Sequence, residues 1–184
     1  MPKAVKYGLF LGVLGIIVGT LLGLVNFITK PIIKKTEEAK VVASLNSVND
    51  QYTWKESEIQ DVYRVGLDEN NEIKMYVFKT TTKGYKSGDL EIMVFIADDK
   101  IEEIVILKMT DQTKGIGTKI SDEEYLNSFK GRSVDEFYNK QSADYNNKNS
   151  IDVISGATYS SRGLLQALIY ASNTYVNNVK GGNN

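Results

Sequence analysis

The 184-residue chain has no cysteine and no histidine, two prolines and one tryptophan. Without cysteine it cannot ligate an iron–sulfur cluster through thiolates or carry a lipid on a cysteine. Lacking both residues, it cannot build a Cys/His zinc site or a His-based triad. Electron-transfer chemistry in such a chain requires an organic cofactor. The missing cysteines do not identify a compartment. Net charge is also nearly absent: 22 Lys+Arg stand against 23 Asp+Glu, so no basic footprint for nucleic acid exists. The length allows one ordinary domain and a short appendage. We expect no metal site and no catalytic residues of the chain's own.

Charge is missing altogether from residues 7–28, YGLFLGVLGIIVGTLLGLVNFI. As a helix this stretch spans roughly 33 Å, enough to cross a bilayer core. A cleaved signal peptide would need a shorter apolar core and a small-x-small exit. The exit here reads Asn26-Phe27-Ile28-Thr29-Lys30-Pro31, so an uncleaved anchor is expected. Gly8, Gly12, Gly15, Gly19 and Gly23 fall within an arc of roughly 80° on this helix. Such a face lets another backbone pack close in lipid. Lysines flank both ends, at positions 3 and 6 and at 30, 34 and 35, so positive charge does not orient the span.

Pro31 suits the first turn of a new helix, and Val41, Val42 and Leu45 give residues 31–48 a loose apolar face. Residues 46–57 are polar and turn-rich. Trp54 within them suits either a core or a headgroup position. Residues 61–109 alternate with β-formers and are punctuated by turns at 68–71, 84–88 and 98–100, which predicts a meander of about four strands. Ser121-Asp-Glu-Glu124 and Ser133-Val-Asp-Glu136 each fit a capping box ahead of a short helix, with Gly131 between them. The expected segmentation is 1–30 anchor, 31–57 helix and linker, 58–180 one α+β domain with an antiparallel meander sheet packed by helices, and 181–184 a frayed tail.

Two stretches carry small residues in patterns that suit a ligand. Lys114-Gly115-Ile116-Gly117 is a glycine turn that lacks the Walker lysine arrangement. Residues 151–163 run from an apolar segment through Ser155-Gly156-Ala157 to Thr158, then into a helical pattern over Leu164, Leu165, Leu168, Ala171, Tyr175, Val176 and Val179. Hydroxyls before a helix serve either as N-caps or beside a phosphate held on the unpaired N–H groups. Gly156 and Ala157 would let a bulky ligand approach the backbone.

Asp152-Val-Ile-Ser155-Gly156-Ala157-Thr158 resembles the Asp-x-x-Ser/Thr-Gly-Ala-Thr/Ser signature of FMN-binding domains modified by a flavin transferase. The chain as a whole is similar to the G subunit of Rnf electron-transfer complexes and to the C subunit of sodium-pumping NADH:quinone reductase. Its shorter length favours the Rnf relative. Gly84-Tyr85 and Gly88, with the following hairpin, also resemble that domain. The resemblance implies FMN joined to Thr158 as a phosphoester, with Asp152, Ser155, Gly156 and Ala157 as the recognised segment. Ser160, Ser161 and the helix N–H groups would hold phosphate oxygens. In relatives a Glu-Thr-Pro-Gly-Leu-Gly loop lies against the flavin ring. Here Gln112, Lys114 and Ile116 replace Glu, Pro and Leu, while Thr113, Gly115 and Gly117 are kept. Thr113, Gly115, Ile116 and Gly117 are therefore the expected ring contacts. Lys114 and Lys119 read either as charges near the flavin or as solvated lysines.

The resemblance further implies an electron relay within a ferredoxin:NAD oxidoreductase coupled to ion movement. Other membrane and peripheral subunits would dock through the glycine face of residues 7–28. The amino terminus would be cytoplasmic and the flavin domain extracytoplasmic, in a single-pass membrane protein. Two other readings stay open: a stand-alone membrane-anchored flavoprotein serving an extracellular acceptor, and a tethered binding module without cofactor.

Overall fold

The structure, a computed structural model, describes residues 2–145 and 153–181. It divides into two compact units, Met1–Ala43 and Ser44–Asn184. The first unit belongs to one helix, α1 (Lys3–Val48). All side chains from 2 to 40 are exposed, the large apolar ones included. The helix is long and apolar enough to cross a membrane. Its hydroxyls are satisfied within the helix, as lipid would demand: Thr20 donates to the Ile16 carbonyl at 2.7 Å, Thr36 to Ile32 at 3.0 Å, and Thr29 to Val25. Pro31 lies inside α1 and starts no second helix, contrary to the expectation. Its missing N–H removes one backbone bond, and helix-forming neighbours on both sides carry the spiral through.

The second unit is built on a five-stranded antiparallel meander in the order β1 (Thr53–Glu56), β2 (Arg64–Leu67), β3 (Ile73–Lys83), β4 (Asp89–Ala97) and β5 (Lys100–Met109). The strand not anticipated is β1. Its polar residues give no alternation, and its place is set by Trp54, which lies over Gly66 where a Cβ would come within 2.8 Å of the indole. Trp54 also meets Phe95 edge-on at 6.0 Å and donates its indole N–H to the Asn49 carbonyl at 3.2 Å. That makes Trp54 a sheet-packing residue. The β4–β5 turn puts Asp98 and Asp99 at φ 48° and 62°, the left-handed pair that a two-residue hairpin requires.

β4 is buried on both faces. Leu90, Ile92, Val94 and Ile96 join the main core, while Met93 and Phe95 point the other way and are equally buried. Against the core face lies α3 (Thr158–Thr174), which contributes Leu164, Leu165, Leu168 and Ala171. Burying one such side chain is worth about 1.5–3 kcal/mol. After α3 the chain continues as a π-helical turn, Tyr175–Lys180. The domain holds to its expected end at 180: Val179 is buried and Lys180 donates to Asp99 at 2.9 Å. That bond holds the Asp99 carboxyl below the usual carboxylate range. The tail beyond 181 lies outside the described residues.

The segment between β5 and α3 docks on the sheet through Gly131, whose N–H donates to the Ile101 carbonyl at 2.7 Å. α2 (Glu123–Asn127) is capped by Asp122 without a side-chain bond. The capping role expected of Ser121 is absent: Ser121 ends a 3-10 turn and donates to the Thr118 carbonyl behind it at 2.7 Å. Ser133 does cap its short turn, accepting from the Asp135 N–H at 3.2 Å.

Candidate functional site

Three segments meet at the amino end of α3. One is the turn that starts the helix. The Ala157 N–H donates to the Ile154 carbonyl at 3.0 Å, with Gly156 at φ +81°. Glycine suits this third turn position because the backbone there is left-handed. The helix cap is Ala157, which has no side-chain acceptor. Neither reading of these hydroxyls as helix caps survives, since Ser155 is exposed and Thr158 is already helical. The first intrahelical bond is Ser161 N–H to the Ala157 carbonyl at 2.9 Å, so the N–H groups ahead of it lack helical acceptors. The Thr158 hydroxyl has no hydrogen-bond partner among the described residues.

The second segment is the glycine loop after β5. Thr113 offers its carbonyl to the N–H groups of Ile116 and Thr118 at 3.1 and 3.3 Å, and Thr118 Oγ1 accepts from Gly115 N–H at 2.9 Å. Gly115 is left-handed at φ +75°. The third is the β3–β4 loop, closed by Gly84 N–H to the Gly88 carbonyl at 2.8 Å.

Gln112 ties the three together. Its Nε2 donates to the Thr110 carbonyl at 2.8 Å. Its Oε1 accepts from Ser160 Oγ at 2.6 Å and from Tyr85 N–H at 3.3 Å. The amide orientation is forced, because a carbonyl only accepts and a backbone N–H only donates. Gly84 and Gly117 pack so closely on this clamp that an added Cβ would lie 2.7 Å from Gln112 Nε2 and 2.9 Å from Ser160 Oγ respectively.

Between the segments lies a cleft of about 250 Å³. It is lined by Thr113, Ile116 and Gly117 of the glycine loop, by Gly156, Ala157, Tyr159 and Ser160 of the helix start, and by Tyr85 of the β3–β4 loop; Thr158 is not in the lining. Of the residues expected to contact a flavin ring, Gly115 is not in the lining. Thr158 is half-buried and follows Ala157 and precedes Tyr159, both of which line the cleft. Ser160 and Ser161 are fully buried. Ser160 is committed to Gln112, and Ser161 Oγ accepts from Ile154 N–H at 3.1 Å, so phosphate contact would fall to the helix N–H groups. Lys114 and Lys119 are exposed and outside the lining, so the described walls carry no charge. Asp152 lies outside the described residues. From the sequence, Gln112 is only a departure in the loop expected against the ring, Tyr85 only part of a turn resembling the domain, and Tyr159 has no role beyond directly following Thr158.

The uncharged cleft, with Gly117 and Gly156 in its lining, lies at an uncapped helix start, and it falls within residues 84–173, which match the FMN-binding domain family. Residues 1–48 match the RnfG N-terminal region. Over these two segments the chain is similar to RnfG-like FMN-binding proteins. No curated protein matches it. One apolar amino-terminal helix in this family accords with membrane anchoring. The residues present fit FMN: the first N–H groups of α3 lack helical acceptors, the Thr158 hydroxyl beside them has no hydrogen-bond partner among the described residues, and the uncharged cleft lining mixes glycine, aliphatic, aromatic and hydroxyl positions.

Proposed function

We propose that the chain is the flavin-carrying, electron-relaying subunit of a membrane-bound Rnf-type ferredoxin:NAD oxidoreductase complex, with FMN esterified to Thr158. Bound FMN supplies the one-electron relay chemistry. The observation that carries this reading is the unpartnered Thr158 hydroxyl at the head of α3, inside the matched FMN-binding segment. Attachment forms the Thr158 Oγ–phosphorus bond and breaks the pyrophosphate bond of FAD, with AMP leaving. A threonine hydroxyl is a weak nucleophile without an adjacent base, so a separate flavin transferase takes the proton and supplies the metal. Ser155, Gly156 and Ala157, with Asp152, form the segment that enzyme reads.

In the holoprotein the N–H groups of the first α3 turn bind the phosphate oxygens. Thr113, Ile116 and Gly117 exclude water from one side of the ring, and Gln112 keeps the walls in register. A covalent link removes dissociation, so a domain outside the cytoplasm need not retain FMN by affinity. The anchor contributes by packing its glycine face on partner subunits, with the amino terminus in the cytoplasm.

The test is a Thr158→Ala chain made beside the transferase and compared with wild type on a denaturing gel under ultraviolet light. Wild type fluoresces and gains the mass of one FMN phosphoester; the variant is dark. A fluorescent variant would move the link to another hydroxyl.

A further inference from the structure

The two tyrosines at the cleft are not accounted for by packing. Tyr85 sits in the β3–β4 loop and Tyr159 on the first turn of α3, yet their rings come within 6.4 Å at an angle of 56°. Tyr159 is 67% exposed and Tyr85 38%, and Lys86 Nζ stands 5.6 Å from the centre of the Tyr85 ring. Neither hydroxyl has a hydrogen-bond partner among the described residues. Where buried tyrosines are placed for their hydroxyls, these are placed for their faces. Their bases are nonetheless fixed. Tyr85 N–H is held by Gln112 at 3.3 Å and its carbonyl accepts from Gly88 N–H at 2.9 Å. Tyr159 is held by the helix.

The pair is a partition. On one side is the cleft of about 250 Å³ closed by Ile116 and Gly117. On the other is an open groove of about 340 Å³ between Gly84, Lys86 and Ser87, lined by the same two rings. Ile116 and Gly117 line the same cleft as the two rings. A cleft with aromatic, aliphatic and glycine positions in its lining is suited to a planar ring system, which gains from aromatic contact and van der Waals contact. Tyr159 adjoins Thr158, so its ring would lie within reach of a ring system tethered there.

Resting on the attachment reading above, we propose that Tyr85 and Tyr159 form the aromatic seat of the isoalloxazine ring, with Ile116 and Gly117 against its opposite face. A phenol in contact with an excited flavin lends it one electron and takes it back, so emission is quenched with no net oxidation. Phenylalanine stacks but does not lend the electron.

The experiment compares the full flavinylated chain in detergent with its Tyr85→Phe/Tyr159→Phe and Tyr159→Leu variants. Gel fluorescence after denaturation measures attached flavin. Native emission and visible circular dichroism report on the ring's surroundings. Wild type is expected to emit several-fold less when folded than when unfolded. The double Phe variant should recover most of that emission with its dichroism kept. Tyr159→Leu should lose dichroism. All three should carry equal flavin on the gel. Equal gel fluorescence with native emission and dichroism unchanged in both variants overturns the seat and leaves the attachment standing. A wild-type chain dark on the gel overturns the attachment, and the seat with it.

Discussion

A Cβ added at Gly8, Gly12, Gly15, Gly19 or Gly23 of α1 would meet nothing within 4 Å, whereas at Gly88 it would fall 2.1 Å from the Thr110 carbonyl and at Gly163 2.6 Å from Leu90. The same residue serves two ends. At Gly66, Gly84, Gly88 and Gly163 of the domain the close approach that glycine permits is already made, by Trp54, by Gln112, by backbone or by Leu90, while Gly115 and Gly131 have open space and are left-handed at φ +75°. In the helix the space beside each glycine is open. The difference separates glycines whose close approach is already used from glycines that leave room for one.

The contrast breaks most readily at Gly88. Gly88→Ala presses a methyl on a backbone carbonyl that cannot move aside, since Thr110 is tied to Asp89 in both directions. We expect a loss of about 3 kcal/mol or more, read as a collapse of the urea midpoint. Gly163→Ala meets a movable Leu90 and the fixed Lys83 carbonyl at 2.8 Å, and about 1–3 kcal/mol should be lost.

Gln112→Glu comes next. The carboxylate keeps the bonds from Ser160 and Tyr85 but faces the Thr110 carbonyl with a second acceptor, at a cost of about 1–3 kcal/mol. The cost should shrink on acidification, because a protonated carboxyl donates again. A midpoint independent of pH would show that the amide donor does nothing there. Asp99→Asn is a smaller effect. The folded carboxyl is depressed by Lys180, so its contribution is present above the ordinary carboxylate range and lost as pH falls through its folded value. Wild type should exceed the variant in melting temperature near neutrality and match it in strong acid. The pair is half exposed and worth little. Gly15→Ile with Gly19→Ile should leave the domain's unfolding unmoved while abolishing co-purification with membrane partners. Retained partners would sink the idea that this face is an interface.

Much of the architecture was legible because it is local. An uncharged stretch, alternating β-formers, two aspartates at a hairpin and a Ser-Gly-Ala turn before a helix each declare themselves within a few residues. The meander, the hairpin at Asp98 and Asp99 and the helix from Thr158 follow from them. The continuity of α1 through Pro31 was not legible, since propensity on either side outweighed one lost bond. Nor was β1, whose strand character comes from Trp54 settling on Gly66. The site divides likewise. Thr113, Ile116, Gly117, Gly156, Ala157 and Ser160 stood out by residue type or by the resemblance and do converge, whereas the clamp made by Gln112 and the pairing of Tyr85 with Tyr159 became visible only once three loops had met.

The order of residues by itself determined that this chain would carry an apolar helix, an antiparallel sheet and a flavin signature, because hydrophobic period, turn chemistry and missing residue types act over short range. Tertiary structure alone decided which surfaces face the cleft. A side chain's direction there depends on β3, β5 and α3 packing together, and no local pattern encodes that distance.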